Sequence, residues 1–246
     1  IESVASIRKM KYRGGDVPGA YLQGKQRECE QAVAHKQKAP DELITRNRSL
    51  IGALQHVTKY RPEICAALGL CGQCMTFPTE ELYRCALRIL VYLGRTPKVG
   101  THFSGKGDGA KTLKAYADSN WTEVRSTSGY TIMLANANIS AGSRRQHCIT
   151  MSSCEAELVA LAECAIELLF SMYVLDFIGY EITDAVQVYT DNKGAHDLCH
   201  RFSSAQNSRH VDRKMFKMRE LRGAGVVQVN YVPTAENPAD LFTKIL

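Results

Sequence analysis

The stretch MSSCEAELVA, residues 151–160, decides how this chain is read, because it sets two glutamates two positions apart at the mouth of a long apolar helix. Ser152-Ser-Cys-Glu155 fits the S-x-x-E pattern, in which a glutamate folds back on the residue that caps a helix. Glu155 therefore has a structural task. Two residues along a helix turn by about 200°, so Glu157 points away from Glu155 and joins the stripe of Leu161 and Leu168. A carboxylate in such a stripe is costly unless it is paired, protonated or metal-bound. Glu157 is the glutamate assigned to chemistry.

Working outward, apolar spacing predicts one helix from about Ser153 to Ile178, with Leu158, Leu161, Ala162, Ala165, Leu168, Leu169 and Met172 on one face. Before it, LKAYADS (113–119), SGYTIMLANANIS (128–140) and, after a turn at AGSRRQ (141–146), HCITM (147–151) predict three antiparallel strands. After it come a strand in AVQVYTD (185–191), a short helix near Lys193 and a basic helix over about 208–222. A strand in VVQVNYV (226–232) and a final helix opened by ENPADLFTKIL (236–246) follow. The expected fold is α/β, a mixed five-stranded sheet flanked by helices.

Residues 43–100 predict about three helices, broken by Pro62 and Pro78. Thr79 is the expected cap of the last, Leu82, Ala86, Ile89, Leu90 and Leu93 its buried stripe, and Gly94 its end. Residues 1–42, with GG, PG and QG pairs and a polar run, read as a loosely ordered arm. Three regions are thus expected, 1–42, 43–100 and 101–246, the last entered through the Gly-rich joint FSGKGDGAK (103–111).

At 246 residues and 45% hydrophobic, the chain can bury a substantial core. No run of about 18 apolar residues is evident and the first residues lack a signal-peptide core, so no membrane is expected. Nine scattered cysteines argue against a disulfide framework and are expected to be reduced. Cys71-x-x-Cys74 lacks the second ligand pair of a structural zinc site. The net charge of +6 leans toward an anionic partner, most often nucleic acid.

Four acids stand at element ends in the order Asp118, Glu157, Asp191, Asp240. Carboxylates converging from separate elements suit a pair of hard divalent ions that activate water and stabilise a leaving oxygen. Each acid also has a plainer reading: Asp118 as a turn residue, Asp191 as the cap of the next helix, Asp240 as a favourable charge at a helix start after Asn237-Pro238.

YADSNW (116–121), RSTSGYTIML (125–134), SSCEAELVAL (152–161), VYTDNKGA (188–195), SRHVDRKMFKMRE (208–220) and YVPTAENPADLFTK (231–244) together resemble the ribonuclease H domain of copia-type retrotransposon polyproteins. Residues 43–100 are similar to the thumb and connection that precede this domain, and GGDVPGAYLQGK (14–25) resembles the strand with the polymerase's first catalytic aspartate, here Asp16. The resemblance implies a ribonuclease H-like fold and makes Asp118, Glu157, Asp191 and Asp240 the ligands of two Mg2+ ions, with Mn2+ as a substitute. It implies cleavage of the RNA strand of RNA–DNA hybrids, in company with the rest of a reverse transcriptase polyprotein. The Tyr-x-Asp-Asp motif is missing, so no polymerase activity is expected.

Reading 2′-hydroxyls calls for short polar groups near the acids: Ser119, Asn120, Ser152, Ser153 and Asn192. Arg209, His210, Arg213, Lys214, Lys217 and Arg222 make the basic helix a candidate track for a phosphate backbone, with a solvated face as the plainer alternative. His196 and His200, one turn apart, read as surface histidines, since HEXXH-type sites need a neighbouring glutamate. An integrase-like enzyme would place its Glu last rather than second. The alternative function is a non-catalytic nucleic-acid-binding fragment of such an element. The expected location is intracellular, in a cytoplasmic retroelement particle or the nucleus.

Overall fold

The computed structural model describes residues 39–103, 112–122, 124–200 and 209–244. Most of the expected arm, Asp16 included, and most of the Gly-rich joint lie outside the described residues. The chain divides into two compact units at His102/Phe103.

In the first unit, α1 (Asp41–Val57), α2 (Cys65–Gly72) and α3 (Glu80–Arg95) enclose a core of Ile51, Leu54, Ile64, Leu68, Cys85, Ala86 and Ile89. Thr79 caps α3, its hydroxyl accepting from Leu82 N–H at 3.2 Å. Two expectations fail on α3. Leu90 is 49% exposed, because it stands about 100° round the helix from Ile89, whereas Cys85 is one turn before it and buried. The helix also passes Gly94 to Arg95. Cys74 is disulfide-bonded, correcting the expectation of reduced cysteines there: spacing in sequence does not show which thiols the fold brings within bonding distance.

The second unit holds a five-stranded sheet in the order β3-β2-β1-β4-β5. β1 (Lys114–Asn120), β2 (Thr127–Leu134) and β3 (Ala137–Arg145) are antiparallel, while β4 (Val186–Thr190) and β5 (Val227–Tyr231) continue parallel to β1. The helices are α4 (Ser153–Phe177), α5 (Lys193–His200) and α6 (Arg209–Gly223). Parallel strands need crossovers, which α4 provides between β3 and β4 and the α5–α6 segment between β4 and β5.

The β2–β3 connection differs from expectation. The chain turns at Ala135-Asn136, both with positive φ (52° and 60°), as a tight two-residue hairpin requires. AGSRR, expected as a turn, is strand; HCITM, expected as a strand, is irregular. Within AGSRR, Gly142 stands opposite Tyr130 of β2. The Tyr130 ring leaves room there only for glycine, since a Cβ would stand 2.6 Å from Tyr130 Cε1.

The core lies between the sheet and its helices, with Ala115, Ala117, Ile132, Val188 and Val229 against Leu158, Leu161, Ala165, Leu168 and Met218. By length and composition alone α4 is apolar enough to cross a membrane, a test that the buried core helix of a sheet domain also passes. Its apolarity is explained by burial of one face against the sheet, while Ile166, Phe170, Tyr173 and Phe177 stay exposed on its outer side.

Candidate metal centre

β1 and β4 run parallel, with Tyr116 opposite Tyr189 and their rings stacked at 4.8 Å. Asp118 and Asp191 each lie two residues further on, so this register brings both carboxylates to one level of the sheet. Glu157 descends from the first turns of α4. Ligand oxygens of Asp118, Glu157 and Asp191 lie within 4.8 Å of one another.

The plainer duties of these acids fall to other residues. Ser152 caps α4 by accepting from Glu155 N–H at 3.2 Å. Glu155 folds back to accept from Met151 N–H at 2.7 Å, one residue before the cap. Asn192, not Asp191, caps α5, its Oδ1 accepting from Ala195 N–H at 3.0 Å. Asp118 lies within β1, opposite Gly129, rather than in a turn.

The protein holds the acids in place from three sides. Glu157 Oε1 accepts from Ser119 N–H at 2.8 Å and from Ser119 Oγ at 3.0 Å, and its Oε2 accepts from Thr190 Oγ1 at 3.3 Å. Thr243 Oγ1 donates to Asp118 Oδ2. Asp118 and Glu157 are only 3% and 4% exposed. Burial, then repulsion from Asp118, pushes the Glu157 carboxyl up to about 8; the Ser119 N–H pulls the other way and Asp191 adds to the rise.

A segment far away in sequence closes the site. Asn237 caps the short 3-10 helix Pro238–Phe242 through Ala239 N–H and donates from Nδ2 to the Ala117 carbonyl at 3.0 Å. The expected final helix is this single 3-10 turn. Asp240 sits on it, outside the 4.8 Å set, and its carbonyl accepts from the Thr243 backbone N–H. Gly129 admits the segment: a Cβ there would come within 2.6 Å of Thr243 Cγ2.

The remaining site candidates are dispersed. Ser119 is occupied by Glu157 and Asn192 by the α5 cap, whereas Asn120, Ser152 and Ser153 are exposed. On α6, Arg213 is exposed, Lys214 pairs with Glu163 at 3.7 Å and Lys217 with Glu220 at 3.2 Å. Arg222 donates to the carbonyls of Cys199 and His200, fastening the end of α5. The basic helix thus spends part of its charge within the fold. The side chains of Arg209 and His210 lie outside the described residues. Thr190, Asn237 and Thr243 were missed by the sequence reading; Thr190 adjoins Asp191, but nothing local marks Thr243, whose contact with Asp118 spans 125 positions.

The residues fit hard cations. Three carboxylates offer only oxygen, and one of them is forced toward its protonated form until positive charge arrives. No family model matches the chain. It is 33% identical over 206 residues to a "Retrovirus-related Pol polyprotein from transposon RE1" of Arabidopsis thaliana, covering 82% of this chain. It is 32% identical over 213 residues to the corresponding polyprotein of transposon RE2, covering 85% of this chain. The chain spans about 14% of these relatives' length. Among solved structures it is similar to RNase H1 of Halobacterium salinarum NRC-1, at 17% identity and a TM-score of 0.39, over 52% of this chain and 90% of that one. At 33% and 32% identity over more than four fifths of its length, this chain belongs to the family of copia-type Retrovirus-related Pol polyproteins.

Proposed function

We propose that the chain is a Mg2+-dependent ribonuclease H that cuts the RNA strand of RNA–DNA hybrids. The observation that carries this reading is the buried triad of Asp118, Glu157 and Asp191, delivered by a strand, a helix and a strand end to within 4.8 Å of one another. These three would hold two Mg2+ ions, with Asp240 as a fourth ligand from the C-terminal segment and Mn2+ as a substitute. When bound, the ions supply a lowered pKa for water and charge stabilisation at a phosphodiester.

The chain's own residues prepare that chemistry. Ser119 and Thr190 fix both oxygens of Glu157, so the carboxylate need not reorganise on meeting a cation. Thr243 fixes Asp118 in the same way. Asn120, Ser152 and Ser153 stand exposed on the elements that carry the acids, and Ser119 and Asn192 flank Asp118 and Asp191; this group would read the 2′-hydroxyls of the hybrid. Arg209, His210, Arg213, Lys214 and Lys217 would meet backbone phosphates. For Lys214 and Lys217 this means exchanging Glu163 and Glu220, a small cost for partly exposed pairs. No Asp-Asp dipeptide occurs in the sequence, so the chain by itself would not synthesise DNA. It would act beside the rest of a Pol polyprotein, in a cytoplasmic particle or the nucleus.

The test is cleavage of a labelled RNA–DNA hybrid with Mg2+ or Mn2+. RNA-strand cutting, absent on an RNA–RNA duplex and reduced at least a hundredfold in Asp191→Asn, is the expected result. Salt-sensitive hybrid binding by folded protein without cutting would overturn it in favour of a non-catalytic module.

A further inference from the structure

His196 and His200 lie one turn apart on α5, and the nuclease reading uses neither. Their rings approach to 4.2 Å between centroids, with planes inclined by 30°. Each ring is held through Nδ1: that of His196 lies 3.1 Å from Asp197 Oδ1, and that of His200 lies 2.8 Å from the His196 carbonyl oxygen. Carboxylate and carbonyl oxygens only accept, so both Nδ1 atoms carry the proton and donate. In the neutral rings the lone pair is then on Nε2 of both side chains. Metal-bound imidazoles are held in this manner, the second nitrogen donating to a carboxylate or a backbone carbonyl.

We propose that His196 and His200 form a two-imidazole site for a borderline divalent transition metal of the Ni2+, Cu2+ or Zn2+ class, separate from the carboxylate site. Nitrogen donors suit these metals, whereas Mg2+ takes oxygen. The i, i+4 spacing puts both rings on one helix face, and water completes the coordination. Asp197 adds negative charge beside His196. The neighbouring cations are directed elsewhere: Lys193 Nζ lies over the Tyr231 ring at 5.2 Å, and Arg222 binds the carbonyls at the end of α5. Neither ring is fully buried, the His196 side chain being 28% exposed, so an ion can reach the pair from solvent. The sequence reading dismissed these histidines for want of a neighbouring glutamate; the ring proximity and the Nδ1 partners restore them.

Calorimetric titration of the untagged full chain with Ni2+ alone tests the site. One ion per chain is expected at pH 7.5. His196→Asn and His200→Asn should each weaken it at least tenfold, with circular dichroism confirming that the fold is kept. Asp118→Asn and millimolar Mg2+ should leave it unchanged. If either histidine variant is unfolded, His196→Gln and His200→Gln take its place. Undiminished Ni2+ binding in folded histidine variants, or its loss in Asp118→Asn, would overturn the proposal.

Discussion

Replacing Glu157 with glutamine keeps the side chain's shape and the acceptor oxygen facing Ser119 while removing a charge that is 4% exposed between two other carboxylates. Glu157 is raised from 4.5 to about 8 by burial and then by Asp118. A carboxyl so shifted holds its proton in the folded state across that window while the unfolded chain has lost it. The contribution of this group to wild-type stability therefore falls as pH rises from about 4.5 to 8. Integrating the linkage, this group costs the metal-free fold about 1 kcal/mol at pH 5 and about 4 kcal/mol at pH 8. Glutamine does not titrate, and groups remote from the site cancel in the difference. The advantage of Glu157→Gln over wild type in EDTA should then grow by about 3 kcal/mol between pH 5 and pH 8, read as the gap between urea unfolding midpoints. Adding Mg2+ at pH 8 should reverse the order, because only the wild type regains the charge it needs. An advantage that stays constant with pH, or that shrinks toward pH 8, would refute this account of the site.

Three further outcomes follow from the same geometry. Gly129→Ala places a Cβ against Thr243 Cγ2 and the Phe242 backbone, and should cost about 1–3 kcal/mol in urea unfolding, with early hydrogen exchange in residues 237–243. Thr243→Val removes the hydroxyl that donates to Asp118; it should destabilise the metal-free protein by about 1–3 kcal/mol and less once Mg2+ is bound, as thermal unfolding with and without the ion will show. Gly142→Ala meets the Tyr130 ring and should destabilise by a similar ~1–3 kcal/mol, whereas a glycine in a solvent-exposed turn would tolerate alanine.

Much of the fold was legible because its periodicities are local. The 25-residue α4 shows its buried face in sequence, and the runs in β1, β4 and β5 are short, β-rich and bounded by turns. The β2–β3 hairpin was misread for a physical reason: the polar, glycine-containing run AGSRRQ looks like a turn, but Gly142 is demanded by a ring from the neighbouring strand. Leu90 failed similarly, since a helical stripe shows its period in sequence but not which edge residue the neighbours cover.

At the site, the sequence by itself determined which glutamate points inward, because helical rotation separates Glu155 from Glu157 whatever surrounds them. It also determined the order of the acids and the cap signals at Ser152 and Asn237, whereas the cap of α5 fell to Asn192 rather than Asp191. Only the tertiary structure decided that Asp118, Glu157 and Asp191 meet, since their proximity depends on the parallel register of β1 with β4 and on where α4 crosses the sheet. It alone supplied Thr243 to Asp118 and left Asp240 outside the triad. Those facts depend on contacts between residues far apart in the chain, which arise from packing the whole domain and leave no trace in local spacing.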